Sequence, residues 1–244
     1  MSDPKERSPS GAPILRHAGR VQPIGAAPAP TSLELIEAHI ATHLGPTESV
    51  LHELVSDLVH VDVHVVAPAP ARDYWTLVTS GMSDRPMQVP EGAGELRYAE
   101  LMLSLPPEWQ LSPTAFEDEQ WYWPIRWLKL LARLPHEYDT WLGWGHTVPN
   151  GEPPEPFAPS TGQCCMLVEL PMLCPDAFRE LRVDAEKTIR FYSLVPIYRE
   201  EMDLKLAEGC EALETRFDRF GVTELLDPQR PNTGRAAPRL RPLA

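Results

Sequence analysis

His60, Asp62 and His64 occupy alternate positions of the run HVDVH. Alternate side chains of an extended strand share one face, so this spacing sets two imidazoles and a carboxylate side by side. These are the ligand types of a divalent metal that activates water for hydrolysis. Alternate residues stand about 7 Å apart along a strand, and a flat face does not close on one ion unaided. His52 or His146 would have to supply a further ligand. The plainer expectation is a solvated polar face opposite an apolar one made by Val59, Val61, Val63 and Val65.

Nucleophilic chemistry has weaker support. Ser80, Ser83 and Ser104 occur with His136 and His146, but the chain has no Gly-x-Ser-x-Gly elbow. Cys164-Cys165 sits in an apolar run, where thiols pack rather than react. No Gly-x-Gly-x-x-Gly and no phosphate-binding loop is present. No catalytic residue, metal or cofactor is therefore assigned. The chain reads as a non-enzyme, with a metal-dependent hydrolase on the His60/Asp62/His64 face as the alternative.

Two further groups stand out. In TLVTSGMSD an apolar strand stops at Ser80, Gly81, Ser83 and Asp84. This predicts a turn fixed by the sheet, in which Gly81 supplies a backbone angle or close approach and Asp84 bonds turn N–H groups. A direct part in binding is the second reading. Five of the seven tryptophans, Trp121, Trp123, Trp127, Trp141 and Trp144, fall within 24 residues. Tryptophan fills cores and anchors interfaces, and at least one of the five is expected on a binding surface.

The elements that position these groups follow from periodicity. Leu33, Ile36, Ile40 and Leu44 predict a helix capped by Thr31 or Ser32 and stopped by Gly45-Pro46. Residues 58–66, 74–79, 98–105, 164–170 and 188–195 read as strands. WYWPIRWLKLLARL puts Ile125, Leu128 and Leu131 on one side and Arg126, Lys129 and Arg133 on another, a helix ended by Pro135. TWLGWGHTV is expected as a strand bulged at its glycines. Pro196 is expected to open a helical region to about Phe220, broken near Gly209. Strands in runs with helices between and after them imply an α+β fold with a mixed, largely antiparallel sheet.

Composition bounds the rest. Of 244 residues, 43% are hydrophobic and 28 are proline, with proline concentrated at the ends. The organisation expected is a disordered Pro/Ala-rich tail over 1–30, one domain over 31–228 and a basic disordered tail over 229–244. The net charge of −13, with +2 on residues 1–30 and +4 on residues 229–244, leaves −19 on the body. Such a body repels a phosphate backbone, which argues against nucleic-acid binding. Four cysteines without a Cys-x-x-Cys pair, and no apolar run long enough to span a membrane, give the expectation of a reduced, cytoplasmic protein with no membrane contact.

Several stretches, in order, resemble one family: DVHVVAP, YWTLVTSGMSDRPM, YAELMLSLPPEW, WYWPIRWLKLLARLPHEYDTWLGWGHTVPNG and PIYREEM. Together they look like the suppressor of fused domain family, over about Glu48 to Asp227. The resemblance implies a non-catalytic protein-binding module. The animal member sequesters zinc-finger transcription factors by taking an extended peptide as an added strand between two domains. Some bacterial relatives act as immunity proteins against secreted toxins. This chain resembles the first of the two domains. The peptide-contacting part of the animal protein corresponds to Leu134 and to Trp141 through His146, which makes Leu134, Trp141, Trp144, Gly145 and His146 the expected partner-binding residues. An aromatic and an acid of the animal protein are replaced here by Leu134 and His146, so a different peptide is implied. The acidic body favours a basic partner, such as a basic toxin domain.

Overall fold

The computed structural model describes residues 6–17, 19–20, 32–53 and 58–235. A two-residue hairpin, β1 (Glu6–Arg7) and β2 (Pro13–Ile14), precedes α1 (Leu33–His43), β3 (Thr47–Leu51), β4 (Asp62–Val66), β5 (Trp75–Ser80) and β6 (Ala99–Leu105). Then come α2 (Glu119–Glu137), β7 (Thr147–Pro149), β8 (Cys165–Glu169), β9 (Glu180–Arg182), β10 (Thr188–Ile197), α3 (Arg199–Glu208) and α4 (Cys210–Phe220). The main sheet runs β3-β4-β5-β6-β10-β8-β7, with β9 on another stretch of β10. Among the described strands β6 and β10 pair in parallel, with Leu101 opposite Tyr192, and the other neighbours in this sheet are antiparallel. The expected α+β class with a mixed, largely antiparallel sheet is what forms.

Helices cover both faces. α2 starts at Asp118, whose carboxylate accepts from the Gln120 N–H at 2.9 Å. It buries Trp123, Leu128, Leu131 and Ala132 against Val63, Val65, Leu77, Leu101 and Leu103. On the other face Ile36 and Ile40 of α1 pack on Val66, Val78, Met102 and Phe191. Full burial of side chains of this size contributes about 1.5–3 kcal/mol each. Leu213 and Phe217 of α4 and Met202 of α3 cover Cys165, Leu167, Val195 and Ile197 farther along that face.

This second layer corrects the expectation for HVDVH. The valines do line one core, but the opposite face is largely covered, with Asp62 and His64 buried and His60 half-exposed. His64 is fully buried and its Nε2 lies 2.9 Å from Ser80 Oγ. Alternation reports that two faces differ; it cannot report a helix laid over the polar one. Three boundaries also move. α2 continues through Pro135, which forfeits only one backbone bond. Pro196 sits inside β10 and its carbonyl serves Arg230, so the helix begins only at Arg199; the break at Gly209 is present. The bulged strand expected over 140–148 reduces to Thr147–Pro149, because Gly145, at φ +77°, turns the chain just before it.

Both terminal segments engage the body where they are described. The Ser10 N–H donates to Leu206 O at 3.1 Å, and Arg16 pairs with Glu152 at 3.0 Å. The disorder expected over residues 1–30 does not apply to this hairpin, whose turn and ion pairs give it partners; residues 1–5, 18 and 21–30 lie outside the described residues. At the other end Arg230 is only 8% exposed and forms a two-pronged ion pair with Glu201, at 2.6 and 2.7 Å. The basic tail expected from 229 therefore begins with a buried anchor, and residues 236–244 lie outside the described residues.

Candidate functional site

The turn after β5 is built from beneath. Gly81 has φ +105°, and a Cβ there would lie 1.8 Å from the His60 carbonyl oxygen, so no side chain fits. The angle and the close approach read from the sequence are both present. The N–H groups of Gly81 and Ser83 donate to Glu100 Oε1 at 3.0 and 2.9 Å. The Ser83 and Thr79 hydroxyls reach Oε1 and Oε2 at 2.7 and 2.6 Å. Glu100 is fully buried; burial pushes its carboxyl above the usual range, while the bonds from Thr79 and Ser83 pull the other way. Sequence reasoning missed Glu100. Its signal was the single acid in the run AELMLSL, apolar but for Ser104. Ser80, Gly81 and Ser83 are buried, and Asp84 is half-buried at the rim.

His60, Asp62, Ser80, Gly81 and Asp84 line one small crevice with Leu33. Asp62 is saturated there. Its oxygens contact His52 Nδ1 at 3.0 Å and His60 Nε2 at 3.1 Å, and accept the Glu53 N–H at 3.0 Å. His64 instead turns to Ser80. Thus His60, Asp62 and His64 do not converge on one point, and among the described residues they form no group able to hold an ion.

The second expected patch is joined to the first through the end of α2. His136 Nε2 donates to Met82 O at 2.9 Å, Gln88 N–H to Thr140 O at 3.0 Å, and Leu142 N–H approaches Met87 Sδ at 3.4 Å. Leu134 and Trp141 are partly buried against the main core. The Trp141 and His146 rings meet edge to face, centroids 4.3 Å apart. Burial pushes the His146 imidazole down to about 4, the Lys205 charge pushes the same way, and a bond to the Trp141 backbone opposes them. His146 is therefore neutral at pH 7. Gly145 N–H donates to Val168 O, and Val168 N–H to His146 O, both at 2.8 Å. Those backbone groups are already used by β8.

Trp144 is different: it is 46% exposed, and Leu170 and Met172, just past the end of β8, are exposed apolar residues as well. Trp123 and Trp127 are buried against Phe157, with ring centroids 5.1 and 4.8 Å away. Of the five clustered tryptophans, Trp144 is the one largely exposed to solvent. A groove of about 380 Å³ lies elsewhere, lined by Pro106, Phe220, Val222, Leu226 and Pro231; no sequence pattern announced it.

The profile of the suppressor of fused protein family (SUFU) matches residues 57–231. The chain belongs to the suppressor of fused family. A crystal structure described as a SUFU homolog from Neisseria gonorrhoeae FA 1090 is similar at 22% identity and TM-score 0.59, over 84% of this chain and 97% of that one. The structure of the Sufu–Fu complex is similar at 14% identity and TM-score 0.58, over 84% and 93%. At these identities the likeness is one of fold. No curated protein matches the chain. No helix among the described residues is long and apolar enough to cross a membrane.

In this suppressor of fused domain the burial of His136 beneath the turn carries a pH dependence. Burial holds the His136 imidazole down to about 4, against an ordinary 6.5, although the bond to Met82 opposes the shift. The unfolded chain then binds more protons between those values, so stability is complete above 6.5 and falls on acidification. The expected loss from this group is about 2 kcal/mol at pH 5. Denaturant unfolding at pH 7 and pH 5 measures it, and His136→Gln should shrink the difference between the two.

Proposed function

We propose that this chain is a non-catalytic protein-binding domain whose partner is a basic protein, in its most concrete form a toxin domain neutralised by an acidic immunity protein in the cytoplasm. The observation that carries the reading is Trp144, a large aromatic left 46% exposed next to Gly145 and His146, whose backbone is bonded to Val168. Such an arrangement is that of an interface anchor. The charge of the body supports the sign of the partner, since an acidic surface accelerates encounter with a basic one. The occurrence of a relative in the Sufu–Fu complex supports protein binding as the mode. The proposed surface comprises Trp144 with Trp141, Gly145, His146 and Leu134 behind it. The turn at Ser80, Gly81, Ser83 and Asp84 holds that surface in place through His136.

Affinity capture on the folded chain identifies a partner, and calorimetry on the purified pair then tests the surface. Trp144→Ala should weaken binding at least tenfold, about 1.4 kcal/mol or more, with an unchanged melting temperature. His146→Ala should weaken it through loss of the Trp141 contact. A partner bound equally by both folded variants removes this surface from consideration.

A further inference from the structure

We propose that Glu169, Cys210 and Glu214 form a binding site for a zinc-class divalent cation. A carboxylate oxygen of Glu169, the Cys210 sulfur and a carboxylate oxygen of Glu214 all lie within 4.8 Å of one another. Two pieces of chain meet there: the last residue of β8, and α4, which supplies its first residue and one from its next turn. The i, i+4 spacing of Cys210 and Glu214 puts both on one helix face.

The second observation is an unfilled valence on Glu169. This residue is 8% exposed, and Oε1 accepts the Leu170 N–H at 3.0 Å. Oε2 is buried and has no hydrogen-bond partner. The Trp144 indole lies near enough to favour the charged carboxylate, but it does not make a well-formed bond to that oxygen. A buried carboxylate oxygen left unpaired is destabilising, and buried polar atoms are ordinarily satisfied. Lys205 is a nearby cation that the site must accommodate. Its Nζ is engaged by Thr147 Oγ1 at 3.2 Å. Glu224 adds a negative field from farther away.

The donor set selects the ion. One thiolate with two carboxylates suits zinc better than magnesium or calcium, which prefer all-oxygen shells. Tetrahedral zinc holds its ligands about 3.3–3.8 Å apart, so closing the site needs shifts of about 1 Å. On binding, the S–H bond of Cys210 breaks, a sulfur–metal bond forms and the proton passes to solvent. Three protein ligands leave the fourth tetrahedral position to water. Gly145 walls the site: a Cβ there would stand 3.6 Å from the sulfur.

Cobalt(II), which reports thiolate ligation by its charge-transfer absorption, tests the site on the full chain after chelator treatment. The expected result is one equivalent bound with that absorption, displaced by zinc. Cys210→Ser should abolish the absorption, and Glu214→Gln should weaken uptake at least tenfold. Cys174→Ser, a half-buried thiol outside the group, should change neither. Circular dichroism checks that each variant is folded. The proposal is overturned if the wild-type chain takes up no stoichiometric ion, if the absorption persists in Cys210→Ser, or if folded Glu214→Gln binds as tightly as wild type.

Discussion

Arg230→Ala lowers the unfolding free energy by about 3–5 kcal/mol, although it alters a residue near the end of the described chain. Its partner Glu201 is 0% exposed. Besides the two-pronged pair, Glu201 accepts the Tyr198 N–H at 2.9 Å and the Thr233 N–H and hydroxyl at 2.8 Å each. Arg230 also donates to Pro196 O and Pro231 O and stacks over the Tyr198 and Phe217 rings. Removing the guanidinium leaves a carboxylate buried with no counter-charge. Burial works to raise the Glu201 carboxyl, but Arg230 and the N–H groups of Tyr198 and Thr233 outweigh it, so it sits below its ordinary range. The stabilisation is thus present above about pH 4.5 and lost as pH falls from there. The variant should be measured by urea unfolding at pH 7. Glu201→Leu combined with Arg230→Met should recover much of the loss, because the penalty comes from the orphaned charge. Equal loss in the single and double variants would refute that account.

Gly81→Ala should cost more than about 4 kcal/mol, enough that the folded state is depleted or absent. Two penalties combine. The first is a positive φ, worth about 1–2 kcal/mol for a residue with a Cβ. The second is a Cβ inside the van der Waals radius of the His60 carbonyl oxygen. Gly92→Ala separates them. Gly92 has φ +87°, but a Cβ on it would meet nothing within 4 Å, so it should lose only the first amount. Comparable midpoints for the two variants would show that the β5 turn relaxes to admit a methyl group.

The parts of this fold legible in the sequence are those governed by short-range pattern. The valine alternation marked β4, the run ending at Leu105 marked β6, and the tryptophan-rich amphipathic segment marked α2. Gly81 was legible because a buried strand that stops abruptly in glycine and small polar residues must turn where a side chain has no room. What escaped depends on partners distant in sequence. His64 looked solvated because α1, which covers it, contributes nothing to the alternation of β4. Glu100 looked like an ordinary polar residue because its donors come from Thr79, Gly81 and Ser83. Arg230 looked like tail because its counter-ion lies 29 residues earlier. The proposed aromatic patch rests on family likeness, and the structure adds which of its residues meets solvent: Trp144, with His146 neutral and its backbone already bonded.

The parallel ladder between β6 and β10 has a consequence for synthesis. Leu101 must wait for Tyr192, about ninety residues later, before that side of its backbone is hydrogen-bonded. At ribosomal rates of about 5–20 residues per second, the apolar strand β6 spends several seconds with one flank unpaired. β3, β4 and β5 can already stand on its other side. An open, hydrophobic flank of this kind recruits other chains. The nascent protein is therefore most vulnerable to aggregation between the emergence of α2 and that of β10, and chaperone dependence should be concentrated in that interval.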